Sequence, residues 1–220
     1  VSDVSEYGVQ HLVETVGSGA EMVVEVGAAF GDETVLLRGS FPDAEIHCFE
    51  PDLRACDELV LRFAKEIPVN RFLAAPCAIG DRTGSTTYWR AVDENDAAFG
   101  SIRKPTGLLR AVPDLEFVST LNTVIRLDHW LRYQLPTRKI DLIVVKANGA
   151  QRDVILGAKV TLGRTKHILI DFHDPELYAG EATLAELEDL LPDWELVDVD
   201  TRALFANKEL RKLTFVGDFV

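Results

Sequence analysis

Seven apolar runs mark the chain: "EMVVEVG" (21–27), "EIHCFE" (45–50), "RFLAAPCAI" (71–79), "IDLIVVKA" (140–147), "HILIDFH" (167–173), "WELVDVD" (194–200) and "KLTFVGDFV" (212–220). Each has the length and apolar density of a buried strand. Helical patterns lie between several of them. Leu53, Cys56, Leu59, Val60, Phe63 and Ile67 recur at three- and four-residue steps, predicting a helix that Pro68 ends. Leu184, Leu187, Leu190 and Leu191 predict another before Pro192. Alternating strands and helices indicate an α/β fold, a mostly parallel sheet with helices on both faces. The last two runs are joined by "TRALFANKELR", too short for a crossover helix, which predicts an antiparallel strand at the C-terminal edge.

One segment breaks this rhythm. Residues 80–126 hold two β-favouring fragments, "STTYW" and "LNTVIRL", separated by polar and glycine-rich sequence. The expectation is a hairpin-like insertion with a mobile loop near 92–113, in the manner of a lid. The remainder shows no linker, repeat or low-complexity tract, so residues 1–220 read as one domain carrying that insertion.

Charge and cysteines narrow the setting. A formal net charge of -13 argues against attraction to a nucleic-acid backbone or an anionic membrane, since both rest on excess Lys and Arg. The acidity, with 15 Arg against 8 Lys, suits solubility or a salty habitat. Cys48, Cys56 and Cys77 are odd in number and lack C-x-x-C spacing, which suggests neither a disulfide framework nor a zinc site and favours a reduced, cytoplasmic protein. No run reaches the roughly 18 apolar residues of a membrane span, and "VSDVSEYGVQ" has no signal-peptide pattern. A soluble, unsecreted chain is therefore expected.

The chemistry gathers where strand meets helix. In an open parallel sheet, ligands sit beyond the C-terminal strand ends. The turn "EVGAAFG" lies there: Gly27 permits a tight turn, and Ala28 and Ala29 keep its surface low. Its G-x-x-x-G spacing is neither the G-x-G-x-x-G of dinucleotide folds nor a phosphate loop. Asp32 and Glu33 follow at the helix start, where carboxylates would repel a pyrophosphate but accept a sulfonium, the charge pattern of S-adenosylmethionine (SAM). The alternative is that both glycines merely tighten a βα turn while the acids favour the helix dipole. Glu50 ends the second run 23 residues after Gly27, suited to accept hydrogen bonds from both ribose hydroxyls, and Asp52 suits a cap for the next helix.

Here the sequence resembles the FkbM-type SAM-dependent methyltransferases, within the Rossmann-like class I methyltransferases. "VVEVGAAFGDET", "IHCFEPD", "CAIGDRTG", "IRLDHWL", "IDLIVVKANGAQRDVILGA" and "HILIDFH" carry the resemblance, in order, over roughly residues 22–175. The resemblance implies a seven-stranded sheet, SAM across the ends of its first strands, and O-methylation of a small molecule or sugar. By position it implies that Glu25, Gly27, Ala28 and Gly31 shape the methionine side. Glu50 would take the ribose, with Pro51 and Asp52 following, and Cys77 and Ala78 would flank the adenine. The chain departs after its fourth long run: relatives commonly read K-I-D-V-E-G-A-E, whereas here Lys146, Asn148 and Gln151 replace three acids in "VVKANGAQ". Losing an acid and gaining a lysine disfavours a divalent metal, and none is expected.

O-methylation needs a positioned acceptor and a base. The candidates are His173, preferred as a neutral imidazole, with Asp171 and Lys146; Asp174 is a further neighbour. Lys146 would serve only if burial lowered its pKa; otherwise it should pair with Glu25 or Asp171. His47 and His129 read as structural. The leading expectation is an enzyme, a SAM-dependent O-methyltransferase acting on a small hydroxylated acceptor under the 80–126 insertion, as a monomer or a homodimer. A degenerate relative with a binding or structural role, resting on "KANGAQ", and a nicotinamide-dependent oxidoreductase are the alternatives.

Overall fold

A computed structural model describes residues 6–134, 137–200 and 202–210. In chain order its elements are α1 (Glu6–Val16), β1 (Met22–Val26), α2 (Asp32–Ser40), β2 (Glu45–Phe49), α3 (Leu53–Arg62), β3 (Phe72–Ala75), β4 (Ala78–Ile79), β5 (Gly84–Ala91), α4 (Thr106–Ala111) and β6 (Phe117–Ile125). They continue with α5 (Leu127–Gln134), β7 (Ile140–Val145), α6 (Gln151–Gly157), α7 (Lys159–Leu162), β8 (Thr165–Asp171), α8 (Leu184–Leu190), β9 (Trp194–Val199) and β10 (Arg202–Asn207). Seven strands form one sheet in the order β3-β2-β1-β7-β8-β10-β9.

The central strands are apolar because both faces are covered. Every residue of β1 and β7 is buried, as expected for strands sandwiched between helices. Val23, Leu142 and Val144 pack against Leu12, Leu37 and Leu59 of α1, α2 and α3. Val24, Val26, Ile143 and Val145 point the other way, toward Leu127, Leu131, Val154 and Leu187 of α5, α6 and α8. Among the described residues no helix is long and apolar enough to cross a membrane.

Three boundaries differ from the sequence pattern. The run 71–79 is two strands, β3 in the main sheet and β4 in a smaller one. Pro76 lies between them and has no N–H to extend a ladder. The helix expected to run to Pro68 ends at Arg62. Phe63 caps it and stacks on Phe72 of β3 with ring centroids 4.6 Å apart, and Pro68 instead opens a 3-10 turn over Ile67–Val69. The strand expected at 212–220 lies outside the described residues. The antiparallel strand is β10, inside the stretch read as a connection, and it pairs antiparallel with both β8 and β9. Five of its six residues are buried. It lies one place in from the edge, and β9 is outermost.

The 80–126 segment builds a second sheet in the order β4-β6-β5, in which β5 and β6 form an antiparallel hairpin. The stretch expected as a loop folds into a 3-10 helix over Glu94–Phe99, a bridge between Trp89 and Ser101, and α4. It is tied to the segment after β8: Gly107 and Leu108 N–H donate to Leu177 O, both at 2.9 Å, and Ala179 N–H donates to Lys104 O at 2.9 Å.

Candidate active site

The C-terminal ends of β1, β2 and β7 meet at one cleft, whose remaining wall is the insertion. Gly27 leaves β1 at φ 86°, and any Cβ there would collide with the Lys146 carbonyl oxygen. Only glycine meets both demands. Gly27 and Ala28 N–H both donate to Phe49 O, at 2.8 and 3.3 Å, which locks this turn to the end of β2. Gly31, at φ 84°, is the N-cap of α2, and a Cβ there would strike Leu59.

Glu50 closes the turn from the other side. One of its carboxylate oxygens accepts from Ala29 N–H at 2.8 Å and the other from Asp52 N–H at 2.7 Å. Each oxygen keeps a second lone pair. Burial pushes the Glu50 carboxyl up to about 7, against the lowering effect of those two donors. Asp52 caps α3, accepting from Arg54 N–H at 3.0 Å.

The cleft is lined by Gly27, Ala29, Glu50, Pro51, Cys77, Ala78 and Lys146, together with Phe49, Ile79, Asn148 and, from the insertion, Tyr88, Ala97 and Gly100–Ile102. Burial pushes the Cys77 thiol up to about 12, so this wall is neutral. The walls enclose ≈ 460 Å³, counting the open mouth. Of the sequence-derived cofactor residues, Gly27, Glu50, Pro51, Cys77 and Ala78 line this cleft, whereas Glu25, Ala28, Gly31 and Asp52 support it from behind.

Beneath the turn lies a buried charge network. Glu33 accepts from Arg202 at 2.5 Å and pairs with Lys146 at 3.1 Å. Arg202 also pairs with Asp171. Burial raises the Glu33 carboxyl, but Arg202 and Lys146 outweigh it and hold it below its ordinary value. Asp171, paired with Arg202, is left raised by burial. Burial pulls the Lys146 ammonium down, yet Glu33 and Asp171 turn the net shift upward. The direct partner of Lys146 is Glu33, not Glu25 or Asp171. Glu25 accepts from Thr34 Oγ1 at 2.7 Å and from Cys48 Sγ at 3.5 Å; burial, reinforced by Glu33, pushes it up to about 8.

This network corrects one electrostatic expectation. Glu33 is neutralised by two cations, and Asp32 is exposed and paired with Arg62 at 2.6 Å. Neither lines the cleft. The pair therefore does not repel phosphate there, and the case against a dinucleotide rests on the glycine spacing.

The departing segment "KANGAQ" is committed to structure. Asn148, at φ 44°, donates through Nδ2 to Ala98 O at 2.7 Å and Gly100 O at 2.9 Å, and its own carbonyl accepts from Ser101 Oγ at 2.6 Å. It clamps the insertion onto the cleft. Gln151 is fully buried and donates to Asp171 O at 2.9 Å and to Glu181 at 3.1 Å.

Glu181, which the sequence did not single out, organises His173. It accepts from His173 Nδ1 at 2.6 Å and from Leu177 N–H at 3.0 Å. The carboxylate fixes the proton on Nδ1 and leaves Nε2 as the basic nitrogen. Glu181 raises the His173 pKa above its ordinary value, so the neutral ring expected from sequence prevails only at higher pH. His173 and Asp171 are not on the cleft wall. His173 lies beside Tyr178, with ring centroids 6.4 Å apart, and the Tyr178 hydroxyl donates to Phe99 O of the insertion at 3.0 Å.

Comparison with known proteins gives these features a context. The family model described as "Methyltransferase FkbM domain" matches residues 25–198. The 2-O-methyltransferase NoeI of Sinorhizobium fredii (strain NBRC 101917 / NGR234) is 33% identical over 195 residues, covering 86% of this chain and 79% of that protein. Among solved structures, methyltransferase FkbM from Methylobacillus flagellatus KT superposes with a TM-score of 0.53 at 15% identity, covering 86% of this chain but 44% of its own. The O-methyltransferase TomG from Streptomyces achromogenes, involved in tomaymycin synthesis and solved in complex with SAM, gives 0.53 at 13% identity, covering 94% and 81%. At such identities the likeness is one of fold.

Proposed function

The chain belongs to the FkbM methyltransferase family, and from that premise we propose that it moves a methyl group from SAM to a hydroxyl oxygen of a small acceptor, a sugar or natural-product hydroxyl. One observation carries the cofactor assignment. Glu50 ends β2 with both oxygens fixed by backbone donors, with a lone pair spare on each, beside the neutral wall of Cys77, Ala78 and Ile79. A carboxylate held this way suits two adjacent ribose hydroxyls, and an apolar wall suits a purine.

When bound, SAM supplies a methyl group on a cationic sulfur that an oxygen nucleophile displaces in line. The residues' task is then to align the acceptor and take its proton. We assign the base to His173: Glu181 holds Nδ1, and Nε2 is left to accept. The segment 172–181 and the insertion, hydrogen-bonded to one another, make the acceptor side. The hydroxyl as acceptor is supported by the 2-O-methyltransferase named above.

Titration calorimetry tests the assignment. Glu50→Ala should weaken SAM binding by roughly 1.5–3 kcal/mol, as for hydrogen bonds to a charged group. Unchanged affinity would show that Glu50 does not hold the ribose.

A further inference from the structure

Strand register places two opposite charges at one level of the cleft. Val26 pairs with Phe49 on one side and with Val145 on the other. The residues that follow, Glu50, Gly27 and Lys146, form the next row across β2, β1 and β7. Gly27 N–H donates to Phe49 O and Lys146 N–H to Val26 O, both at 2.8 Å, which ties the row together. Two strand spacings, about 10 Å, separate its outer members. Among the described residues, Glu50 and Lys146 are the two charged members of the cleft lining.

Lys146 is open to a ligand although it has an ion pair. Its side chain is 31% exposed, so solvent reaches it. Glu33 Oε2 lies 3.1 Å from Nζ but accepts no hydrogen bond, and Glu33 Oε1 is held by Arg202. An ammonium carries three donors, and contact with one carboxylate leaves donors to spare. Burial disfavours the charge of Lys146, but Glu33 and Asp171 outweigh burial and keep it protonated.

The chemistry of the ligand decides what that cation can meet. Beyond its ribose, SAM carries a sulfonium and an amino-acid arm with one carboxylate and one ammonium. Cys77 and Ala78 follow β3, which lies on the far side of β2 from β1. With a ribose on Glu50 and a purine on that wall, the arm is left to the Lys146 side of Gly27. Like charge keeps the sulfonium and the ammonium away from Lys146, whereas a carboxylate gains a charge-assisted hydrogen bond there. A carboxylate taken from water into a cleft without such a partner is costly. Relatives commonly carry an acid where this chain has Lys146, and an acid would attract the ammonium instead. The replacement reverses which end of the arm this position can hold.

Granted SAM as the ligand of this cleft, we propose that Lys146 binds the carboxylate of its amino-acid arm and makes the site selective for a sulfonium ligand that bears one.

The test is calorimetry of the full chain with SAM and with decarboxylated SAM, which keeps the adenine, ribose, sulfonium and ammonium but lacks the carboxylate. The wild-type protein should bind SAM about tenfold or more tightly than the analogue. Lys146→Gln should erase that preference by weakening SAM alone, and Lys146→Arg, which keeps a cation, should retain most of it. A lysine with a merely structural role would weaken both ligands alike on removal, and that result overturns the proposal. So does a folded Lys146→Gln protein that still prefers SAM, or a wild-type protein that binds the two ligands equally. Absence of SAM binding to the wild-type protein overturns the cofactor assignment as well, which distinguishes the two failures.

Discussion

Arg202 stands between two buried carboxylates, Glu33 and Asp171, and is itself largely shielded from water. Removing one partner from a buried ionic cluster leaves charge uncompensated, so Arg202→Ala should lower stability by about 3–5 kcal/mol in chemical denaturation. A loss below about 1 kcal/mol would place the network in effective contact with solvent. This cluster was illegible in the sequence because Glu33 and Arg202 are 169 positions apart and only the sheet brings them together. The Asp52 cap and the place of Glu50 on the cleft were legible because helix starts and strand ends lie at fixed points of such a fold. Glu181 had no such signal, since its partner His173 is defined by a loop. The His173 pKa is raised by Glu181, so below that value the ring is imidazolium and cannot accept a proton. The rate of methyl transfer should therefore rise with pH and level off above that pKa, and Glu181→Gln should move the inflection downward. A profile flat between about pH 6 and 9 would remove His173 from the role of base. The same sign governs stability: the His173–Glu181 pair adds stability that is lost as pH rises through the raised His173 pKa and, at the acid end, as pH falls through the lowered Glu181 pKa.

Among elements, the central strands were readable because burial on both faces enforces unbroken apolar runs. β10 was not, since "RALFAN" is short and begins close after β9, while "KLTFVGDFV" is the more apolar run. The insertion was read as a hairpin, but its middle was not, because its order comes from contacts made elsewhere. Asn148 supplies two of these, to Ala98 O and Gly100 O. Asn148→Gly keeps the left-handed backbone and deletes both bonds. At about 1 kcal/mol each, amide exchange over 97–101 should accelerate roughly 5–30-fold while exchange in β1 and β7 stays unchanged. Uniform acceleration across the chain would mean that Asn148 supports global stability instead.

At the scale of the whole molecule, the family, the sheet order and the cleft beyond β1, β2 and β7 agree on one reading. The replacement of three acids in "KANGAQ" is the ground for reading a degenerate relative, yet each replacement has a defined structural partner. The central claim is that this cleft takes SAM rather than a nicotinamide dinucleotide. Its most direct test is calorimetric titration of the unmodified protein with SAM and, separately, with NAD. The account predicts saturable one-site binding of SAM with Kd in the range of about 1–100 μM and no measurable heat with NAD. No binding of SAM at about 1 mM, or tighter binding of NAD, would contradict it.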